Sequence, residues 1–156
     1  MPTQVEFTDL ASHAGQALGT SPWRVVTQED IDTFARLTGD EQWIHVDPAR
    51  AATGPFGTTI AHGYFTLSLS TVVLDDLIEV TGAALVLNYG SNRVRYPTPV
   101  LVGSKLRAGV EIAEVDDIPG GVQAVYRLTY ELDGAAKPAC VADIVYRYYT
   151  TVPGQG

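Results

Sequence analysis

The chain has 156 residues, of which 46% are hydrophobic and 18% charged, a balance typical of one globular domain and unlike that of a disordered or fibrous protein. Its 18 acidic and 10 basic residues give a formal net charge of −8. Nucleic-acid backbones and anionic membranes attract clustered Lys and Arg, so we expect neither as a partner. Any anionic ligand must be held by local cations.

Three features indicate a cytoplasmic location. The single cysteine, Cys140, cannot form an internal disulfide, which fits a reducing compartment. Residues 1–17 lack the basic start and apolar run of a signal peptide. The longest apolar stretch, residues 60–74, is interrupted by polar side chains and is shorter than the roughly 20 residues that a membrane-spanning helix needs.

Helix signals dominate the chain before Gly82. Thr27 and Asp30 have the spacing of a capping box, and Gly39 is a typical stop, so the pattern predicts a helix over residues 28–38.

Two more helices follow this one. Asp47 and Pro48 resemble the N-cap and first residue of a helix. Residues 63–80 are apolar on nearly every face, which predicts a central helix buried inside the protein.

Strands are expected after Gly82, because apolar and polar residues alternate with period two. Pro119-Gly120-Gly121 and Asp133-Gly134 are turn signals. The pattern predicts an α+β fold in which an antiparallel sheet curves around one buried helix, as a single domain over residues 1–156. The expected strands are residues 84–88, 93–96, 105–112, 122–132 and 140–150.

Asp40 and His45 form the first candidate site. Side chains five residues apart cannot share a helical face, but in a loop after a helix stop both can turn toward one water. A carboxylate and an imidazole on one water form a general acid–base pair. The alternative is structural: Asp40 caps a loop and His45 is a half-buried histidine.

His62 and Gly63, at the start of the predicted central helix, form the second candidate site. Backbone N–H groups at a helix start lack intrahelical partners and can stabilise an oxyanion. The alternative is an ordinary helix start with His62 bonded to a backbone carbonyl. We expect no metal site, because the 3 histidines and 1 cysteine lack the paired spacing of zinc ligands.

Three segments resemble the MaoC-like, (R)-specific enoyl-CoA hydratases, also called hydratase 2. Residues 34–45, followed by Ala51, resemble the family signature, in which a histidine stands five residues after the aspartate of a Gly-Asp pair. Residues 60–63 resemble the entry to the family's central helix, and residues 93–103 resemble its strand-and-turn segment. The chain looks most like the short, single-hotdog subgroup related to NodN-type nodulation proteins.

The resemblance implies a hotdog fold, a curved antiparallel sheet wrapped around a long central helix, in a protein that is usually a homodimer. It implies reversible addition of water to a trans-2-enoyl-CoA to give an (R)-3-hydroxyacyl-CoA. Asp40 and His45 would activate the water, and the amide of Gly63 would bind the thioester oxygen. The acyl-CoA is then the substrate and no cofactor is needed.

Two further groups of residues are candidates for supporting roles. Gln42 and Trp43 replace the Asn-Pro of the commoner signature, and we take Gln42 and His62 as candidate supports of the catalytic pair. Arg93, Arg95 and Lys105, with Arg107 nearby, are candidate contacts for the phosphates of CoA, or else solvated sheet residues.

The alternatives for function are a 3-hydroxyacyl-thioester dehydratase acting on acyl-carrier protein, an acyl-CoA thioesterase, and a non-catalytic acyl-binding subunit. Tyr64, Ser68 and Thr71 lie along the predicted central helix and are candidates to line the acyl tunnel.

Overall fold

The computed structural model describes residues 1–152 and residue 154. The predicted single domain thus includes residues 153, 155 and 156, which lie outside the described residues. The helices are a 3-10 helix (Phe7–His13), α1 (Gln28–Thr38), α2 (Trp43–Val46), α3 (Pro48–Ala51), α4 (Gly63–Ser68) and α5 (Ser70–Leu77).

The strands are β1 (Thr3–Glu6), β2 (Ala17–Thr20), β3 (Arg24–Val25), β4 (Ile78–Thr81), β5 (Leu85–Arg95), β6 (Lys105–Ile118), β7 (Gly121–Leu132) and β8 (Cys140–Tyr149). Most of them form one antiparallel sheet. Its order is β2-β6-β7-β8-β5, and β3 also pairs with β6. β1 and β4 form a separate parallel pair.

The first helix has the bounds and caps that its sequence predicts. The Thr27 hydroxyl accepts from the Asp30 amide and the Asp30 carboxylate accepts from the Thr27 amide, which completes the capping box. Gly39 ends α1 in the left-handed conformation, with φ of 79°. α3 also begins as predicted, because the Asp47 side chain accepts from the Arg50 amide.

The expectation that strands occur only after Gly82 is wrong. β1, β2 and β3 precede α1, and each has four residues or fewer, too short for a clear alternation. β5 is one strand rather than two. Its register shifts between Asn88 and Gly90 and again between Ser91 and Arg93, and such bulges interrupt the period of two.

The central helix, which is α4 and α5 taken together, is shorter than predicted and interrupted at Leu69. Residues 78–80 belong to β4, where pairing with β1 extends the chain. The helix is also not buried on every face: Tyr64, Ser68 and Thr71 are exposed. None of the helices in the described part of the chain has the length and apolarity to cross a bilayer.

The core lies between this helix and the concave side of the sheet. Val73 and Leu74 of α5 pack against inward-facing residues of the long strands, among them the fully buried Ile112 and Leu128. Buried and more exposed residues alternate along β6, β7 and β8, so one face of each strand contributes its side chains to the core. This packing positions the start of the central helix beside α2.

Candidate active site

Asp40 and His45 come together at the end of α1. Gly39 turns the chain out of the helix, so Asp40 lies in the connection and His45 lies on α2. The expectation that both residues lie in a loop is wrong for His45, which occupies a single helical turn. Because Asp40 lies outside the helix, the two side chains are not held at the spacing of one helical face and can approach each other.

The two side chains differ in burial. The His45 side chain is 7% exposed and that of Asp40 is 55% exposed, and His45 Nε2 lies 4.0 Å from Asp40 Oδ2. This distance is too long for a direct hydrogen bond. A water molecule between the two atoms can bond to both.

One hydrogen bond determines which ring nitrogen of His45 carries the proton. Its Nδ1 lies 2.7 Å from the backbone oxygen of Ile60, which can only accept, so Nδ1 carries the proton and Nε2 keeps a lone pair when the ring is neutral. Burial lowers the pKa of His45, and the neighbouring His62 lowers it further, against the opposing effects of Ile60 and Asp40. The Nε2 that faces Asp40 is therefore a base at neutral pH.

His62 contacts both members of the pair. Its Nε2 donates to the backbone oxygen of Asp40 at 2.9 Å, and its ring stacks on that of His45 with centroids 3.8 Å apart. Phe34 packs on it at a centroid distance of 5.0 Å. The buried Nδ1 of His62 has no partner among the described residues. His62 thus fixes the backbone of Asp40 and the plane of His45 together.

Gln28, which the sequence analysis did not identify, holds the backbone of α2 through a hydrogen bond. Its side-chain amide donates to the backbone oxygen of His45 at 2.8 Å, and the buried Thr59 hydroxyl donates to its Oε1. Gln42, the other predicted support, is exposed, and its side chain forms no hydrogen bond among the described residues. No sequence spacing links Gln28 to His45, because they belong to different elements.

Gly63 is the first residue of α4. Within the described residues its amide N–H donates to no backbone carbonyl. A Cβ at this position would lie 3.0 Å from the ring of Tyr96, so only glycine fits without a shift. Both residues line a cavity of about 290 Å³.

Tyr96 was not among the predicted site residues. Burial raises its pKa to about 12, so the hydroxyl is a proton donor at neutral pH. The sequence signal that could have identified Tyr96 is its position in residues 93–103, the segment that resembles the family's strand-and-turn segment.

Residues 9–133 match the family described as the MaoC like domain. The chain belongs to this family. The 3-hydroxyacyl-thioester dehydratase Z of Mycobacterium tuberculosis is 51% identical over 149 residues, which cover 95% of this chain and 99% of that protein. Nodulation protein N of Rhizobium leguminosarum bv. viciae is 40% identical over 144 residues, covering 90% and 89%. The X-ray structure of a monoamine oxidase regulatory protein from Archaeoglobus fulgius matches with a TM-score of 0.80 at 25% identity, covering 97% and 99%.

These similarities confirm the resemblance to MaoC-like and NodN-type proteins and the α+β hotdog fold. The prediction of a hydro-lyase enzyme of the MaoC-like family is also confirmed.

The predicted basic residues do not form one cluster in this MaoC-like chain. Arg93 and Arg95 are exposed on β5, and neither forms an ion pair within the part of the chain that the structure describes. Lys105 lies on β6, 3.9 Å from Asp133, and Arg107 pairs with Glu131. β7 and β8 lie between β5 and β6 in the sheet, so the two arginines and the Lys105–Arg107 pair lie on strands that are not neighbours.

Asp40, His45 and His62 also offer ligand atoms within 4.8 Å of one another, as a metal site requires. The two imidazole planes are only 25° apart and stacked, so their in-plane lone pairs run side by side rather than converging on one ion. This geometry suits proton transfer better than metal binding.

Proposed function

We propose that this MaoC-like protein catalyses the reversible syn addition of water to trans-2-enoyl-CoA, giving (R)-3-hydroxyacyl-CoA. The observation that carries the proposal is the 4.0 Å gap between the His45 Nε2 lone pair and the Asp40 carboxylate. The names of the relatives support the same reaction, which runs as a dehydration in the reverse direction.

The water lies between the two side chains. Its oxygen attacks C3 of the enoyl group while its proton passes to His45 Nε2. Asp40 accepts the other hydrogen of the water in a hydrogen bond and stabilises the imidazolium that forms. The imidazolium then returns its proton to C2 on the same side, so the water supplies both the hydroxyl and the new hydrogen.

Gly63 stabilises the charge that moves onto the thioester oxygen. The uncommitted N–H at the start of the central helix donates to this oxygen as the enolate forms. No cofactor takes part, because conjugation with the thioester already makes C3 electrophilic.

Coenzyme A is held at the edge of the sheet. Arg93 and Arg95 are exposed and unpaired within the described residues, so their guanidiniums are available to phosphate in a protein of net charge −8. Lys105 is a weaker candidate because it already faces Asp133.

The functional unit is a homodimer. β5 is the edge strand of the main sheet and exposes Tyr89, and the central helix exposes Tyr64 at 74%. The first half of β5 also exposes Val86 and Leu87, and an edge strand with exposed apolar side chains is a template for pairing with a second copy. The cytoplasmic location and the absence of nucleic-acid and membrane partners stay predictions.

A crotonyl-CoA absorbance assay with chiral analysis of the product tests the reaction. We expect the wild type to form the (R)-alcohol and Asp40→Asn to lose about 10²- to 10⁴-fold in turnover, as expected for loss of an acid–base group. Asp117→Asn, at an exposed aspartate on β6, is the matched control and should keep full activity. Undiminished hydration by Asp40→Asn would contradict the proposal.

The same assay separates the alternatives. Release of free thiol would show an acyl-CoA thioesterase, since a neutral histidine base can also direct water to a thioester carbonyl. Turnover only with a carrier-protein thioester would show the dehydratase alternative. No turnover of either thioester would leave the non-catalytic acyl-binding subunit.

A further inference from the structure

The end of β5 places Tyr96 beside the start of the central helix. Arg95 is the last residue of that strand and pairs with Val141 of β8. Successive side chains of a strand point to opposite faces, so Tyr96 shares the face of Val94, which packs against the core. Pro97 follows and has no N–H with which to continue the pairing. The ring of Tyr96 therefore turns inward at the point where the strand ends.

The end of the ring that carries the hydroxyl lies against Gly63. A Cβ built on Gly63 would have three ring carbons of Tyr96 as its nearest neighbours, with Cε2 at 3.0 Å, Cζ at 3.1 Å and Cδ2 at 3.2 Å. Cζ is the carbon that bears the hydroxyl. The hydroxyl is thus bonded to an atom that lies next to Gly63, the residue whose amide is proposed to bind the thioester oxygen.

The hydroxyl of Tyr96 is free to donate to a ligand. The side chain is 42% exposed and lines the cavity of about 290 Å³ together with Gly63. Within the described residues the hydroxyl has no hydrogen-bond partner. Burial, with smaller contributions from Cys140 and Tyr64, raises the pKa of Tyr96 to about 12, so its oxygen keeps the proton at neutral pH.

The surroundings of this hydroxyl would strengthen a hydrogen bond to a negative charge. Among the described residues that line the cavity none is charged, and most are apolar, including Ile60, Pro99 and Val100. In a wall of this kind a hydrogen bond to a developing negative charge is stronger than in water.

A thioester oxygen that becomes an enolate oxygen can accept from two donors. A carbonyl oxygen has two lone pairs, and the single amide N–H of Gly63 can bind only one of them. Oxyanion holes accordingly combine backbone N–H groups with side-chain donors, among which tyrosine occurs. The Tyr96 hydroxyl, next to Gly63 in an uncharged wall, is placed to supply the second donor.

We propose that the Tyr96 hydroxyl is the second hydrogen-bond donor to the thioester oxygen, beside the amide of Gly63. Tyr96 is then a catalytic residue, because hydrogen bonds to a charged oxygen are stronger than those to a neutral one and the bond tightens as the enolate forms. The proton stays on the Tyr96 oxygen throughout. The inference rests on the proposed function and adds a residue to its site.

Tyr96→Phe tests the proposal, because it removes the hydroxyl and keeps the ring that packs on Gly63. We expect kcat for crotonyl-CoA to fall by about tenfold, with KM within about twofold of the wild-type value, since the bond is strongest in the transition state. Tyr149→Phe is the matched control. Tyr149 lies at the other end of β8, eight residues and about 26 Å along the strand from Val141, and its variant should keep full activity.

An infrared measurement tests the contact directly. The probe is butyryl-CoA, isotope-labelled at the thioester carbonyl, and each hydrogen bond to that oxygen moves its carbonyl band to lower frequency. We expect the bound band to lie lower in the wild type and Tyr149→Phe than in Tyr96→Phe. In Tyr96→Phe it should still lie below the band of free butyryl-CoA, because the Gly63 amide remains. Butyryl-CoA has no double bond to hydrate, so this measurement does not depend on the reaction.

Three results would overturn the proposal. Full kcat in Tyr96→Phe with an unchanged carbonyl band would show that the hydroxyl does not contact the thioester. A lower kcat with an unchanged band would assign Tyr96 a packing role only. A raised KM with an unchanged kcat would place the hydroxyl on a part of the substrate that does not react.

Thr66→Val tests the rival donor. Thr66 also lines the cavity with a hydroxyl, but it lies three residues after Gly63, about 4.5 Å further along the helix. A loss of kcat and of the band shift in Thr66→Val, with neither in Tyr96→Phe, would assign the second donor to Thr66 and overturn the proposal. If the wild type leaves crotonyl-CoA unchanged, the proposed function fails. The band of bound butyryl-CoA then still decides whether Tyr96 donates to the thioester.

Discussion

The two ends of the central helix are built in different ways. At the start, His45 and His62 are buried, and each donates one ring hydrogen bond to a backbone oxygen, that of Ile60 and that of Asp40 respectively. At the far end, a cavity of about 420 Å³ has mainly aliphatic and aromatic walls, with the Tyr126–Tyr148 hydroxyl pair, Asp75 and Glu79 among them. Hydrogen bonds fix positions to fractions of an ångström, whereas an apolar wall fixes only shape and volume. A change at the start of the helix should thus reduce turnover more than a change at the far end.

Gly63→Ala should give the largest effect among variants that keep the catalytic pair. The new Cβ lies 3.0 Å from the Tyr96 ring, so the helix start or the ring must move, and the amide moves relative to the thioester oxygen. We expect kcat for crotonyl-CoA to fall by about 10²-fold, as for loss of an oxyanion donor.

Gly109→Ala is the control for this variant, because its nearest neighbour would be 3.8 Å from the new Cβ. An equal fall in Gly109→Ala, or full activity in Gly63→Ala, would contradict the role of the Gly63 amide and remove the difference between the two ends.

His62→Phe should have a smaller effect. Phenylalanine keeps the stacking on His45 but loses the hydrogen bond to the Asp40 backbone, and we expect kcat to fall by about tenfold, the effect of one hydrogen bond. His62→Gln retains an N–H donor and should recover most of the loss. Full activity in His62→Phe together with a loss in His62→Gln would show that the ring itself, and not its hydrogen bond, supports the pair.

The pH profile should show the smallest effect. Burial lowers the pKa of His45 from 6.5, and protonation removes the Nε2 lone pair, so kcat/KM for crotonyl-CoA should fall at acidic pH with a midpoint below 6.5. In His62→Phe the lowering effect of the neighbouring imidazole is lost, and this midpoint should move to a higher pH. A midpoint above pH 6.5 in the wild type would show that a different group titrates.

The sequence predicts local features of this fold well. Both caps of α1, at Thr27 and Gly39, are present as predicted. Buried and more exposed residues alternate along β6, β7 and β8, also as predicted. These features depend only on residues that are neighbours in the sequence. The sequence also indicated that Asp40 and His45 can turn toward one point after the Gly39 stop, but the spacing alone equally allowed two separate structural roles.

Contacts between distant residues were not predictable in the same way. The bond from Gln28 to His45 depends on how α2 packs on α1, and the separation of Arg95 from Lys105 depends on strand order. A single sequence carries no periodic signal for either. The exposed face of the central helix was not predicted either. The hydropathy pattern treats Tyr64 as an apolar residue, but its side chain is exposed to solvent in the single chain.

The capping box of α1 has a consequence for temperature. Gln28 is the first residue after the Thr27 cap, and its side chain holds the backbone of His45. Helix ends fray before a protein unfolds, and the cap limits this fraying. Loosening of this one helix end would therefore release the proposed base while the sheet is still intact, so that heat would inactivate the enzyme before it melts.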